Sequence, residues 1–344
     1  MKNILLVFTG GTIGSQSLAG TIDTSPQTGF KLLQMFAETD NDPNSVVFKT
    51  IQPLQILSEN LVPQHWHEMI SAIESEVLSN FDGVIVTHGT DTLAFSAAAL
   101  GLYFHDLPIP LLLVSSNMPL ENAHANGLPN FLGAVEFVRR IQLGGVFVVY
   151  QNPGQLLHIY RATRLASCLQ LSGDFIGIQS KAFMRFEAGD LIRLDFQADN
   201  RCAIKPLKAD FSAWVLLIKP YPGLDYSQIN LTGVHAVLHD LYHSGTACTT
   251  TEYGAHHSLS EFIRRCRQQQ LIIYLAPALK SELAYSSTQD LLAQGAQIIW
   301  NMSLEAAYAK LLLAYGNFND ASAIKHFLEQ DIAFEHVCAS TNTE

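Results

Sequence analysis

The chain has 344 residues, with 20 Lys+Arg against 31 Asp+Glu for a formal charge of −11, and 48% of residues are hydrophobic while 15% are charged. That balance excludes a disordered chain, a collagen and a coiled coil, and it gives no electrostatic footprint for nucleic acid or anionic lipid. At about 100–200 residues per domain the length predicts two domains.

The N-terminus, MKNILLVFTGG, has a short apolar run before a Gly-Gly and no small-residue cleavage site, so no signal peptide is expected. No stretch approaches the roughly 18 apolar residues of a membrane span. Five cysteines, Cys168, Cys202, Cys248, Cys266 and Cys338, are an odd number without a CxxC pair and read as reduced thiols of a cytoplasmic protein.

In chain order, Ile4–Phe8, Val46–Ile51, Val84–Thr87, Leu111–Ser115 and Val146–Tyr150 are short Val/Ile/Leu runs without alternation, as strands covered on both faces are. Between them, Pro63–Ser79 carries Trp66, Met69, Ile70, Ile73 and Val77 on one helical face, with Pro63 suited to a first turn. The apolar run Leu93–Leu102 is a further helix, for which Thr90 or Asp91 would serve as N-cap. Alternating strands and helices predict right-handed βαβ units and a parallel sheet. The charged stretch from Ala182 to Ala213 breaks the rhythm and reads as a short hairpin followed by a linker. The alternation then resumes with strands at Trp214–Ile218, Ala236–Leu241, Leu271–Leu275 and Ile298–Trp300, separated or followed by helices at Ser258–Gln269, Ser287–Gln294 and Leu304–Tyr315. The expected architecture is a larger doubly wound, flavodoxin-like domain over residues 1–190, a linker over 191–212, and a smaller Rossmann-like α/β domain over 213–344.

In open parallel sheets, ligands bind outside the C-terminal strand ends near a switch in strand order. Two strand-end loops stand out: Thr9-Gly10-Gly11-Thr12-Ile13-Gly14 and Thr87-His88-Gly89-Thr90-Asp91-Thr92. Paired glycines admit close backbone approach, and the hydroxyls beside them are candidate nucleophiles. Taken singly, each loop is equally well a tight turn with a helix cap. The first lacks G-x-G-x-x-G spacing, and neither a P-loop nor a G-x-S-x-G elbow occurs. Three histidines, His235, His239 and His243, recur at four-residue spacing, but on a strand they diverge too far for one metal ion, so no metal or cofactor is expected.

Together, TGGTIG and HGTDT resemble the two signature segments of the bacterial-type L-asparaginases. The resemblance continues through Ser58-Glu59-Asn60, Ser115-Ser116-Asn117-Met118-Pro119 and Tyr221-Pro222-Gly223. It implies a cytoplasmic amidohydrolase converting L-asparagine to L-aspartate and ammonia. Thr12 would be the nucleophile, Thr90 and Asp91 the second half of the site, and Ser58 the grip on the substrate's α-carboxylate. Asp91 and Glu59 would hold the α-ammonium, Gly11 and Gly89 would admit backbone donors, and Ser116 and Asn117 would line the pocket. The family forms homodimers or homotetramers, with a second copy of the chain completing the site, here through Ser244 and Thr246.

Two positions depart from the pattern. Thr21 stands where an active-site loop carries a tyrosine. In Tyr160-Arg161-Ala162-Thr163-Arg164, Arg164 replaces a lysine, and a guanidinium keeps its proton where an ammonium can lose one. Arg164 can hold Asp91 ionised and brace Thr90, but activation of Thr12 then needs another acceptor. The alternative is a binding protein that kept the pocket and lost proton transfer. A role like that of the archaeal tRNA-dependent amidotransferase is disfavoured by the missing basic surface and N-terminal extension.

Overall fold

The computed structural model describes residues 1–11, 13, 15–18, 21–24, 28–280 and 285–338, with the backbone alone at 15–18, 21–24, 28 and 30. The chain forms two compact units, Met1–Asn200 and Arg201–Glu344, whose boundary falls inside the stretch expected to be a linker.

The first unit is built on an eight-stranded sheet. Five parallel strands form its middle and one flank, in the order β4 (Val46–Ile51), β1 (Lys2–Phe8), β5 (Gly83–Thr87), β6 (Pro110–Val114) and β7 (Gly145–Gln151). This is the flavodoxin-like order, in which successive crossovers run to opposite sides of the first strand. Every residue of β5 and β6 is buried, which explains why these strands read as continuous apolar runs rather than alternating ones. Ile4, Leu6, Ile85, Leu112 and Val114 share one face with Leu32 and Phe36 of α1 (Thr28–Thr39) and Phe131 and Ala134 of α4 (Gly127–Arg140). Elsewhere in the unit, α3 (Leu93–Tyr103) is buried almost all round and is covered by α2 (Pro63–Glu74), where Trp66 Nε1 donates to Ser96 Oγ at 2.9 Å.

Three features differ from expectation. The sheet is mixed: β8 (Leu157–Arg161), β9 (Met184–Glu187) and β10 (Asp190–Arg193) add antiparallel at the β7 edge. The last two are the predicted hairpin, and the sheet thereby runs three residues past 190. A two-stranded ribbon, β2 (Ser15–Leu18) with β3 (Thr21–Thr24), follows the first loop. Helix α2 ends at Glu74 rather than Ser79. Ser75 turns its hydroxyl back onto Ala72 O at 2.7 Å, and Val77, expected on the apolar face, is 63% exposed.

The second unit is a four-stranded parallel sheet in sequential order, β11 (Val215–Ile218), β12 (Ala236–Asp240), β13 (Ile272–Ala278) and β14 (Gln297–Trp300). Among the described residues four α-helices accompany it: α5 (Leu259–Gln268), α6 (Ser286–Ala293), α7 (Leu304–Asn317) and α8 (Ala321–Glu329). Helix α5 keeps its apolar side, Leu259, Phe262, Ile263 and Cys266, in the core. Beneath α7, Lys310 Nζ meets Glu335 Oε1 at 2.5 Å with both side chains fully buried, and Glu335 also accepts from the main chain of Ile332 and Ala333. Among the described residues no helix is long and apolar enough to cross a membrane.

Candidate active site

Strand β1 pairs with β4 on one side and β5 on the other, so the order reverses between β1 and β5, the position at which open parallel sheets hold their ligands. Phe8 and Thr87 are in register, which puts both signature loops at the same height. The strand ends are tied by Thr9 Oγ1, which donates to Thr87 O at 2.6 Å.

The first glycine pair is required by the backbone. Gly10 and Gly11 have φ of +102° and +72°, a region that L side chains rarely enter. Gly11 N donates to Ile56 O at 2.9 Å and Ile56 N to Thr9 O at 3.1 Å, so the segment before Ser58 is stitched onto the first loop. A Cβ on Gly11 would lie 2.3 Å from Gly89 N, and one on Gly89 would lie 2.4 Å from Ser58 Oγ. Three segments that sequence reading singled out separately are therefore in van der Waals contact.

Ser58 joins them to Asp91. Its hydroxyl, 4% exposed, donates to Asp91 Oδ2 at 2.8 Å and accepts from Asp91 N at 3.2 Å, while Thr92 Oγ1 donates to Ser58 O at 3.0 Å. The local reading of Asp91 or Thr90 as a helix cap is thereby corrected. Thr92 occupies the N-cap of α3 without a side-chain cap bond, and the Asp91 carboxylate turns to Ser58 instead. Asp91 remains solvent-exposed on its outer side, Glu59 is exposed, and Thr90 is half-buried. An outward carboxylate, fixed by a buried hydroxyl and flanked by glycine backbone, is suited to hold a small cation such as an ammonium group.

His88 is buried and its main-chain N–H donates to Val114 O at 2.9 Å. Its Nδ1 lies 2.7 Å from Gly89 O; a carbonyl only accepts, so Nδ1 carries the proton. Burial pushes the imidazole pKa down, against the opposing pull of the Gly89 carbonyl and of Asp91, which keeps the ring neutral.

At the end of β6, Ser116 is fully buried and its hydroxyl donates to Met118 O. Asn117 N donates to Asn126 Oδ1 at 2.8 Å, and Asn126 N returns a bond to Asn117 Oδ1 at 3.0 Å. Asn126 Nδ2 donates to Gln151 O, and Asn130 bridges Ser115 O and Gln151 N, each bond at 2.8 Å. This amide ladder fixes the Ser115–Asn117 turn to the start of α4 and the end of β7.

Arg164 lies one 3-10 turn beyond β8, which runs antiparallel to β7 with Arg161 opposite Phe147. Its Nη2 donates to Gln197 Oε1 at 2.6 Å and its Nη1 is 3.6 Å from Asp195 Oδ2, which also accepts from Arg161 Nε at 3.2 Å. Burial alone would raise the Asp195 pKa, but the Gln197 N–H and the two guanidinium groups take it below the usual range. Burial pushes Arg161 down to about 10.

Thr12 lies outside the described residues, and Thr21 sits on β3 with its side chain likewise outside them. In the second unit, Ser244 and Thr246 occupy the turn after β12. Their hydroxyls are 2.8 Å apart, and the turn closes through Tyr242 N to Thr246 O at 3.0 Å. His239 pairs with Tyr226 Oη at 2.8 Å and His235 accepts from Trp214 N, so these histidines serve separate contacts. Among the described residues no group of three or more His, Cys, Asp or Glu is placed to hold a metal ion.

Sequence reading quoted His88 and Thr92 only as members of the second loop, without roles of their own, and did not single out Asn126. Their roles depend on partners far away in sequence or on burial. The only local signals were a hydroxyl after Asp91 and an asparagine at a helix start.

A flavodoxin-ordered parallel sheet with a hydrogen-bonded carboxylate at its switch point places the first unit among the open-sheet α/β proteins. The asparaginase N-terminal family model matches residues 3–183, more than half of the chain, and the protein belongs to the asparaginase family. It is similar to the L-asparaginase of Thermococcus kodakarensis, with a TM-score of 0.78 and 21% identity, covering 98% of this chain and 100% of that one. It is likewise similar to L-asparaginase I of Vibrio cholerae, with a TM-score of 0.76 and 21% identity over 98% and 99% of the two chains. Among curated relatives, a glutamyl-tRNA(Gln) amidotransferase subunit from Methanococcus maripaludis is 25% identical, covering 97% of this chain and 81% of its own length. The same amidotransferase subunit from Aeropyrum pernix is 26% identical, with coverage of 97% and 79%.

Proposed function

We propose that the protein is an amidohydrolase that cleaves the side-chain amide of free L-asparagine to L-aspartate and ammonia. The observation that carries this reading is the Asp91 carboxylate, fixed by Ser58 at the crevice where Gly11 and Gly89 meet, in a member of the asparaginase family. Asp91 holds the substrate's α-ammonium, with Glu59 adding negative charge nearby. The Gly11 and Gly89 backbones admit donors to the α-carboxylate beside Ser58, and Ser116 and Asn117 line the amide end.

Thr12 Oγ attacks the amide carbon, ammonia leaves after taking a proton, and water then hydrolyses the ester to aspartate. Thr90 and Thr21 are assigned to the reacting end of the substrate together with Thr12. Arg164, held by Asp195 and Gln197, supplies fixed positive charge and accepts no proton. The proton of Thr12 therefore passes to Asp91 or to a water beside it. The proposal includes cytoplasmic action, no cofactor, and a homodimer or homotetramer in which Ser244 and Thr246 of a second copy complete the site. The test is ammonia release from asparagine by the purified protein between about pH 6 and 9, a range that brackets the titration of an ordinary imidazole. No release from asparagine, glutamine or related amides contradicts the reading.

The curated relatives favour a second reading, in which the chain releases ammonia for a partner. Steady turnover of free asparagine by the isolated chain supports the first reading. Turnover that appears only with a partner protein supports the second.

A further inference from the structure

The segment that leaves β10 meets Arg164 with two acceptors. Leu194 N and Asp195 N both donate to Phe183 O, at 2.9 and 3.3 Å, which pins the exit of β10 to the residue before β9. Gln197 N donates to Asp195 Oδ1 at 3.0 Å, a local turn that orients the carboxylate and returns the Gln197 side chain to the same place. Gln197 Oε1 accepts from Arg164 Nη2 at 2.6 Å, and Asp195 Oδ2 stands 3.6 Å from Arg164 Nη1, so both ends of one guanidinium are engaged.

The carboxylate is anchored in turn. Its Oδ2 accepts from Arg161 Nε at 3.2 Å, the Arg161 guanidinium lies over the Phe183 ring at 4.4 Å, and Arg193 Nε donates to Asp195 O at 2.8 Å. The side chains of Arg161, Arg164 and Asp195 are 8%, 11% and 16% exposed, so salt screens these pairs much less than surface ones. A guanidinium is a planar fork on a long stem, and two acceptors are what define its plane; a compact ammonium at the same position has no plane to define.

We propose that Asp195 and Gln197 are positioning residues for the amide hydrolysis and act through Arg164, whose guanidinium they hold in one place and one plane. The proposal rests on the amidohydrolase reading of the site. A charge fixed before the reaction stabilises charge developing in the substrate, whereas an unheld guanidinium spreads over several rotamers and its field at the reacting end weakens.

The test is a double-mutant cycle on ammonia release from asparagine. Asp195→Asn keeps an acceptor for Gln197 N but turns an NH2 group on the two arginines. Gln197→Ala removes the other acceptor and leaves the Arg161–Asp195 pair in place. Each is made in the wild type and in Arg164→Ala, and assayed at a temperature where circular dichroism shows every variant folded. Arg164→Lys, which keeps the charge without a plane, replaces Arg164→Ala where the latter is too slow to read. We expect kcat to fall about tenfold in Gln197→Ala and tenfold or more in Asp195→Asn, towards the roughly hundredfold that misplacement by 1 Å costs. KM should change by less than about threefold. With Arg164 already replaced, neither substitution should lower kcat by more than about twofold. Asp195→Asn should lower the melting temperature in both backgrounds, because Arg161 loses its partner in both; a purely structural role predicts that loss but not the vanishing effect on kcat.

An active wild type whose kcat is unchanged in both single variants, or whose losses add in full to that of the Arg164 variant, overturns the proposal and leaves the amidohydrolase reading standing. Wild-type kcat in Arg164→Ala does the same. A wild type that releases no ammonia from any amide overturns the reading and the proposal with it.

Discussion

Replacing Gly11 by alanine separates the contact at the crevice from the general cost of a left-handed backbone. Gly11 and Gly154 have nearly the same φ, +72° and +71°, so alanine at either carries the same backbone penalty of about 1–2 kcal/mol. They differ in surroundings: a Cβ on Gly154 meets nothing within 4 Å, whereas one on Gly11 would sit 2.3 Å from Gly89 N and 2.5 Å from Gly89 Cα. Neither of those atoms is the end of a flexible side chain, so the two loops must move apart, at a cost of about 1–3 kcal/mol for an overpacked site. Gly11→Ala should therefore melt roughly 2–12 °C below Gly154→Ala in differential scanning calorimetry. Because Gly89 also abuts Ser58, the displacement reaches the Ser58–Asp91 pair. A shift of about 1 Å there should lower kcat/KM by about a hundredfold, while Gly154→Ala keeps wild-type activity. Equal melting temperatures and equal activities for the two variants would refute the claim that close approach, and not φ alone, demands glycine at position 11.

Two further predictions concern the second unit. Burial lowers the His239 pKa to about 4, so the folded protein refuses a proton that the unfolded chain, near 6.5, accepts; stability is full above about pH 6.5 and is lost as pH falls towards 4. His239→Phe should remove that part of the acid sensitivity, giving a flatter urea midpoint between pH 6.5 and 4 than wild type; parallel pH curves would contradict it. The Lys310–Glu335 pair is fully buried, so Lys310→Met should cost about 3–5 kcal/mol by leaving a carboxylate uncompensated. Adding Glu335→Gln should recover part of this, because the carboxylate charge disappears while an acceptor for the Ile332 and Ala333 amides stays.

The parts of the fold that were legible in the sequence are those whose cause is local. The Val/Ile/Leu runs became β1 and β5–β7 because strands covered on both faces need apolar residues at nearly every position; β4 forms where expected but as the edge strand, with only Val46 buried, so the expectation of cover on both faces fails there. TGGTIG and HGTDT were legible as backbone approaches because only glycine tolerates them, and the structure puts Gly11 against Gly89. What escaped reading was decided at a distance. Asp91 resembles a helix cap in its own segment, and only a contact across 33 residues turns it to Ser58. The ribbon Ser15–Leu18 with Thr21–Thr24 is short and polar, without the apolar signal of a sheet strand. Val77 continued a helical period past the point where Ser75 ends the helix. Strand β8 was missed although Asn152-Pro153-Gly154 before it signals a turn, because its Leu157-His158-Ile159-Tyr160-Arg161 run sits at the antiparallel side of a sheet expected to be wholly parallel.

Cleavage of an amide in this crevice through Thr12 is tested most directly by ammonia release from L-asparagine, measured side by side on the wild type and Thr12→Ala at equal folded concentration. Steady release by the wild type is predicted, with a loss of at least about a thousandfold in Thr12→Ala, as for removal of a covalent nucleophile. A Thr12→Ala variant as active as the wild type would contradict it.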